Sequence, residues 1–174
     1  MPCSNLVECL RSAGANPYPL ETTYAHGYKP ENVLNYTNNV YYHSQGPPEN
    51  TLTVDFTTYV TIRGYEIKAD NGGNWLLNWK VEVKEGGRWA TVDTHDNDVK
   101  PSECGVINFT TPLRTRYIRF TGTKTFEGNQ YFAAYYVKFS GGLSSLFCEN
   151  RNTCKKQPHF STILLHLFIS LVKN

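Results

Sequence analysis

The side chains able to do chemistry in this chain are few and scattered. Cys104 follows His95 by nine residues, a thiol and an imidazole that would suit a nucleophile and its base. The surrounding run, Asp93-Thr94-His95-Asp96-Asn97-Asp98 with Glu103 beyond it, is acidic. A reactive thiolate needs a positive setting, so the residues predict an inert thiol. The same run offers carboxylates to a hard cation, but it lacks the spacing and central glycine of a calcium loop and reads as a solvated acidic loop. No Gly-x-Ser-x-Gly elbow, phosphate-binding loop or His-Glu-x-x-His occurs in the sequence. With no catalytic set to name, the expectation is that the chain is not an enzyme.

Five cysteines stand at Cys3, Cys9, Cys104, Cys148 and Cys154, and no pair has the Cys-x-x-Cys spacing of a zinc or redox site. The N-terminus, MPCSNLVECLRSAGANPYP, has no basic lead and no apolar run of the length a secretory signal needs. Free thiols in a reducing compartment are therefore expected, which makes the chain cytoplasmic by default and leaves an extracellular location open. Asn35-Tyr36-Thr37 and Asn108-Phe109-Thr110 match the N-glycosylation acceptor pattern. Without a signal, neither match carries weight.

The elements that must position any site are strands. Of 174 residues, 40% are hydrophobic and 14% aromatic, enough for a core, and a net charge of +2 does not suit a nucleic-acid binder. Asn5–Ala13 reads as a short helix stopped by Gly14 and the Pro17-x-Pro19 pair. Residues 15–51 are loop-rich, with a tight excursion at 45–50. Leu52, Val54 and Phe56 then alternate with polar neighbours, as do Val60, Ile62, Tyr65 and Ile67, with Gly64 marking a bulge or a close approach. A turn signal spans Asp70 to Asn74, and Trp79-Lys-Val81-Glu-Val83 forms a hairpin with Trp89–Val92 through Glu85-Gly-Gly-Arg88. A loop from Asp93 to Glu103 follows. Further strands are read at 106–109, 117–120 and 135–139. About eight short strands with turn punctuation and no long helix predict an all-β antiparallel jelly-roll sandwich. The ends differ in character: 148–159 is polar and basic, and 160–172 is apolar but shorter than the roughly 20 residues that span a bilayer.

The order of motifs carries a resemblance. Lys29-Pro-Glu-Asn-Val-Leu34, Tyr42-His43-Ser44, Leu52-Thr-Val-Asp-Phe56, Ile62-Arg-Gly-Tyr-Glu-Ile67, Asn78-Trp-Lys-Val-Glu-Val83, Gly87-Arg-Trp89, Arg116-Tyr-Ile-Arg-Phe120 and Tyr136-Val-Lys-Phe-Ser-Gly141 follow one another with suitable gaps. Together they resemble a discoidin domain, the C-terminal type of coagulation factors 5 and 8, among the galactose-binding-like jelly rolls. The resemblance covers about residues 16–141. It divides the chain into an extension at 1–15, the sandwich at 16–141 and a tail at 142–174. Trp79 and Trp89 are expected to pack the sandwich, and Arg119 to satisfy buried acceptors or a carboxylate such as Asp55.

The resemblance implies a binding module whose loops at one end meet the ligand: here 25–28, 35–46, 70–75 and 94–99. Fucose-binding members carry a His, 24 residues, Arg-x-Asp, four residues and a second cation. In this chain His43 is followed after 24 residues by Lys68-Ala69-Asp70, and after four more by Trp75. Cations donate to sugar hydroxyls, an acid orients them, and an aromatic face covers the ring. His43, Lys68, Asp70 and Trp75, with Tyr28, Tyr42 and Asn74 beside them, are thus the expected ligand-binding residues of a lectin-like, non-catalytic carbohydrate-binding module. Two other roles compete: an intracellular protein-interaction or assembly domain using the same loops, and a phospholipid-surface binder. The last is weakened because only Tyr28 and Trp75 are suited to insertion. No cofactor is expected. The one metal prospect is a structural calcium near the amides of Asn35 and Asn38. The expected partner is a carbohydrate or a protein, without nucleic acid or a transmembrane segment, and the oligomeric state is left open.

Overall fold

A computed structural model describes residues 3–143, except 22, 26, 38–39 and 70–74, together with strands 146–150 and 153–156. The elements are α1 (Leu6–Ser12), β1 (Tyr18–Pro19), a 3-10 turn (Pro30–Leu34), β2 (Tyr42–His43), β3 (Thr51–Ala69), β4 (Leu76–Glu85), β5 (Arg88–His95), α2 (Pro101–Cys104), β6 (Ile107–Thr125), β7 (Ala133–Leu143), β8 (Leu146–Asn150) and β9 (Thr153–Lys156).

The sequence shows several short strands where the molecule has two long ones. β3 and β6 each run 19 residues because each turns a corner and serves both layers of an antiparallel β-sandwich. Thr51–Asp55 pairs with Tyr117–Thr121 of β6, which also pairs with β4, and β4 with β5. The register then slips between Asp55 and Val60, and Thr57 turns the chain with φ 64°. Beyond that corner Val60–Ala69 pairs with β7, and β7 with β2. A bulge at a bend is how one strand feeds two sheets.

Alternation fills the space between the layers. Leu52, Val54, Phe56, Trp79, Val81 and Phe120 are all fully buried. Phe120 crosses to the opposite layer, its ring 5.2 Å from Tyr65, 5.7 Å from Phe132 and 6.1 Å from Phe139. Such pairs add about 1 kcal/mol each beyond the area they bury. A polar thread also crosses: Trp79 Nε1 donates to Tyr65 Oη at 2.9 Å, and Tyr65 donates to Asp93 at 2.7 Å. Gly64 is both a bulge and a close approach, since a Cβ there would lie 2.5 Å from the Ile107 carbonyl oxygen.

Several expectations need correction. Arg119 does not reach Asp55; it pairs with Glu82 at 2.7 Å, and Arg116 takes Asp55 instead. Asp55 sits at the corner, two residues before Thr57, where Arg116 also lies. Trp89 is not core: it is half-buried on the outer face, with the Arg119 guanidinium 4.2 Å from its ring centre. The loop read at 93–103 is shorter, because Asp93, Thr94 and His95 continue β5 against Val81, Lys80 and Trp79. Cys3 and Cys9 are not free thiols but a disulfide, with Cα atoms 6.4 Å apart. The bridge ties Cys3, which exchanges backbone hydrogen bonds with Gly141, to α1. α1 is capped by Asn5, which accepts from the Glu8 N–H, and it buries Leu6, Val7 and Leu10 completely. Cys104 is free.

β8 and β9 form a hairpin in a second compact unit, with Cys148 and Cys154 as register partners. The apolar run at 160–172 lies outside the described residues.

Candidate functional site

Register places the ends of many elements together. Ala134 pairs with both Tyr42 and Ala69, which brings the start of β7 beside β2 and the end of β3. Leu76 pairs with Thr125, and the Gly122 N–H donates to the Asn50 carbonyl, adding the start of β4, the end of β6 and the entry to β3. The Phe132 N–H donates to Ser44 Oγ at 2.8 Å, closing the ring of loops. This is the end at which the sequence places its candidates.

The described candidates divide into two clusters there. In the first, Tyr28 and Tyr41 stack with centroids 4.4 Å apart and planes at 21°. Tyr135 meets Tyr41 edge-on at 5.6 Å, and the Lys68 ammonium stands 5.3 Å from the centre of the Tyr135 ring. His43 lies 6.2 Å from Tyr28 and 4.9 Å from Tyr131. Its Nδ1 is 2.6 Å from the Ser44 carbonyl oxygen, a contact only a protonated nitrogen can make, so in the neutral ring Nε2 is the acceptor. Tyr28, His43 and Lys68 are thus joined through Tyr41 and Tyr135.

Trp75 belongs to a second cluster. Phe126 meets it edge-on at 4.7 Å, and the Lys100 ammonium lies 3.2 Å from its ring centre. Its Nε1 is buried without a hydrogen-bond partner among the described residues. Phe126 itself is 62% exposed.

Tyr42 does not face the ligand end as expected. It is fully buried, donates to the Thr51 carbonyl at 2.6 Å, and burial pushes its hydroxyl far above the usual phenol range. Alternation turns Tyr41 and His43 to the other face, although His43 is also buried there, 8% exposed. Asp70, Asn74 and Asn38 lie outside the described residues. Asn35 is exposed, and its Oδ1 accepts from the Thr37 N–H and hydroxyl. Among the described residues no three His, Cys, Asp or Glu side chains group closely enough to hold a metal. His95 Nε2 does meet Cys104 Sγ at 3.2 Å, and His95 stacks on Trp79 at 4.1 Å. Burial and then Glu103 push the thiol up, so it stays protonated at neutral pH.

Tyr131, Tyr135, Phe126 and Lys100 were not among the sequence candidates. Counting by twos puts Tyr135 on the inner face with Val137 and Phe139. Lys68, however, pairs with Tyr136 and Ala69 with Ala134, so Tyr135 is the extra residue of a bulge and reaches the rim.

The fold and its loop end define a discoidin-type β-sandwich. Residues 18–136 match the model of the F5/8 type C domain, and the chain belongs to that family. No curated protein matches the chain in sequence. Among solved structures, it is similar to CBM32-3 from a family 31 glycoside hydrolase of Clostridium perfringens, with 21% identity, TM-score 0.57, and coverage of 71% of this chain and 88% of that one. It is also similar to the family 32 CBM of C. perfringens NanJ, solved with galactose, at 12% identity and TM-score 0.61, covering 80% and 99%. A third is the CBM32 of AlyQ, solved with 4,5-unsaturated mannuronic acid, at 16% identity and TM-score 0.55, covering 70% and 92%. At these identities the likeness establishes the fold. Among the described residues no helix is long and apolar enough to cross a membrane.

Proposed function

We propose that this chain is a non-catalytic carbohydrate-binding module and that it takes a sugar on the tyrosines of its loop end. The observation that carries the reading is the set Tyr28, Tyr41 and Tyr135 with the Lys68 ammonium over its edge. An aromatic platform covers the apolar face of a pyranose, and a flanking ammonium offers three donors to hydroxyls or a carboxylate. His43 adds an acceptor at Nε2. Asp70, two residues past Lys68, remains the acid of this proposal. The galactose of the NanJ module and the uronate of the AlyQ module name the first sugars to try.

Trp75 and Phe126 favour a second reading, in which an exposed aromatic tip with Lys100 meets a phospholipid surface. The cytoplasmic assembly reading loses support, because the Cys3–Cys9 disulfide suits an oxidising compartment. A glycan array and phosphatidylserine vesicles, each probed with the wild-type chain and with Lys68→Ala, separate these roles. Sugar binding that weakens about tenfold in the variant supports the platform, a loss of about 1.4 kcal/mol. No sugar binding, or binding indifferent to the substitution, overturns it.

A further inference from the structure

We infer that Asn35 is an N-glycosylation site, a modification independent of the sugar-binding reading. Three observations converge on it. The first is the acceptor triplet Asn35-Tyr36-Thr37, with Asn35 exposed at the end of the 3-10 turn. The second is the local geometry. The Thr37 hydroxyl donates to Asn35 Oδ1 at 2.9 Å and the Thr37 N–H donates to the same atom at 3.3 Å. The two side chains that define an acceptor are therefore already held together as one unit. The donated hydroxyl makes the Nδ2 protons more acidic, and Nδ2 itself has no partner among the described residues. The third is the compartment. Cys3 and Cys9 form a disulfide, a bond that persists where N-glycosylation also takes place. The triplet carried no weight for want of a signal, and the disulfide points to that compartment independently of one.

The second triplet is a natural internal contrast. Asn108 and Thr110 lie along β6, where residues two apart are about 7 Å from each other and do not share a turn. Asn108 is exposed as well, but it is held in the β3–β6 ladder as the register partner of Gly64, with no turn to bring Thr110 onto its amide. Asn35 is the preferred acceptor of the two.

The transfer balances with a polyprenyl-diphosphate-linked oligosaccharide as donor. Asn35 Nδ2 bonds to the sugar C1, and the bond from C1 to the diphosphate oxygen breaks. The polyprenyl diphosphate leaves with the electron pair, and one Nδ2 proton passes to a base of the membrane transferase. The glycan would be rooted one turn from the tyrosine platform. Asn32, in that same turn, donates from Nδ2 to the Tyr41 carbonyl at 3.2 Å.

The test is the mass of the full chain expressed behind a cleavable leader in animal cells, followed by peptide mapping of secreted and retained material alike. The expected result is one glycan on the peptide holding residue 35, removed by peptide N-glycosidase to leave aspartate. It should be absent from Asn35→Gln and Thr37→Val and retained in Asn108→Gln. An unmodified residue 35 overturns the proposal, as does a glycan carried mainly by Asn108. Mapping retained material keeps the test decisive even where a variant folds poorly.

Discussion

Arg116 grips Asp55 through two hydrogen bonds, Nε to Oδ1 and Nη2 to Oδ2, each 2.8 Å long, at the corner where β3 passes from one layer to the other. Tyr18 donates to the same carboxylate at 3.2 Å and the Thr57 N–H at 2.7 Å. The carboxylate thus joins β1, both halves of the corner and β6. Burial pushes the Asp55 carboxyl up, but Arg116, Thr57 and Tyr18 together outweigh it and hold the group below the usual carboxylate range.

A depressed carboxyl contributes stability that is present above its unfolded pKa and lost as pH falls through the folded one. The melting temperature should therefore drop as the pH is taken below about 4. Asp55→Asn should melt lower than wild type at pH 7 and show a shallower fall into acid. Glu82, also held low because Lys80 and Arg119 outweigh its burial, should keep part of the acid sensitivity. Thermal melts at neutral and acid pH check both slopes. Equal slopes would remove Asp55 from the account.

Gly122 lies where a Cβ would collide with the Tyr131 carbonyl. Gly122→Ala must push the Tyr131–Phe132 backbone aside. We expect a loss of several kcal/mol, in the range of severe backbone clashes and core overpacking, and weaker sugar binding because Tyr131 packs against His43. Chemical denaturation together with a binding titration reads both effects.

Tyr41 and Tyr42 are neighbours with opposite duties. Tyr42→Phe leaves the Thr51 carbonyl without its buried donor and should cost about 1–2 kcal/mol while sparing sugar affinity. Tyr41→Ala should do the reverse, weakening sugar binding about tenfold with little change in melting temperature. Paired melts and titrations of the two variants make the comparison.

The Cys3–Cys9 bridge closes a short loop, so its effect on chain entropy is modest. Reduction, or Cys3→Ser with Cys9→Ser, should lower stability by about 2 kcal/mol, and the loosened α1 should expose Leu6, Val7 and Leu10 to hydrogen exchange.

Much of the fold was legible in residues 52–83, where Leu52, Val54, Phe56, Trp79 and Val81 alternate strictly and are buried as read. Alternation failed at bulges. The slip at Lys68–Ala69 puts Tyr135 at the rim, where plain alternation with Val137 and Phe139 would not place it, and the slip between Asp55 and Val60 hid the continuity of β3. Pairing of charges was not legible either: Arg116 and Arg119 are three residues apart, and only the corner decides which one meets Asp55. Trp75 was read with His43 because spacing alone cannot show that Phe126 and Lys100, from other loops, surround its ring.

The central claim is tested most directly by mapping bound sugar onto the backbone. The full chain, uniformly labelled with nitrogen-15, is titrated with galactose and with a uronate-terminated oligosaccharide while amide shifts are followed. The account predicts saturable shifts gathered at Tyr28, Tyr41, Lys68 and Tyr135, abolished by Tyr41→Ala and preserved in Trp89→Ala on the outer face. Absence of saturable shifts with both sugars, or shifts gathered around Trp89, would contradict it.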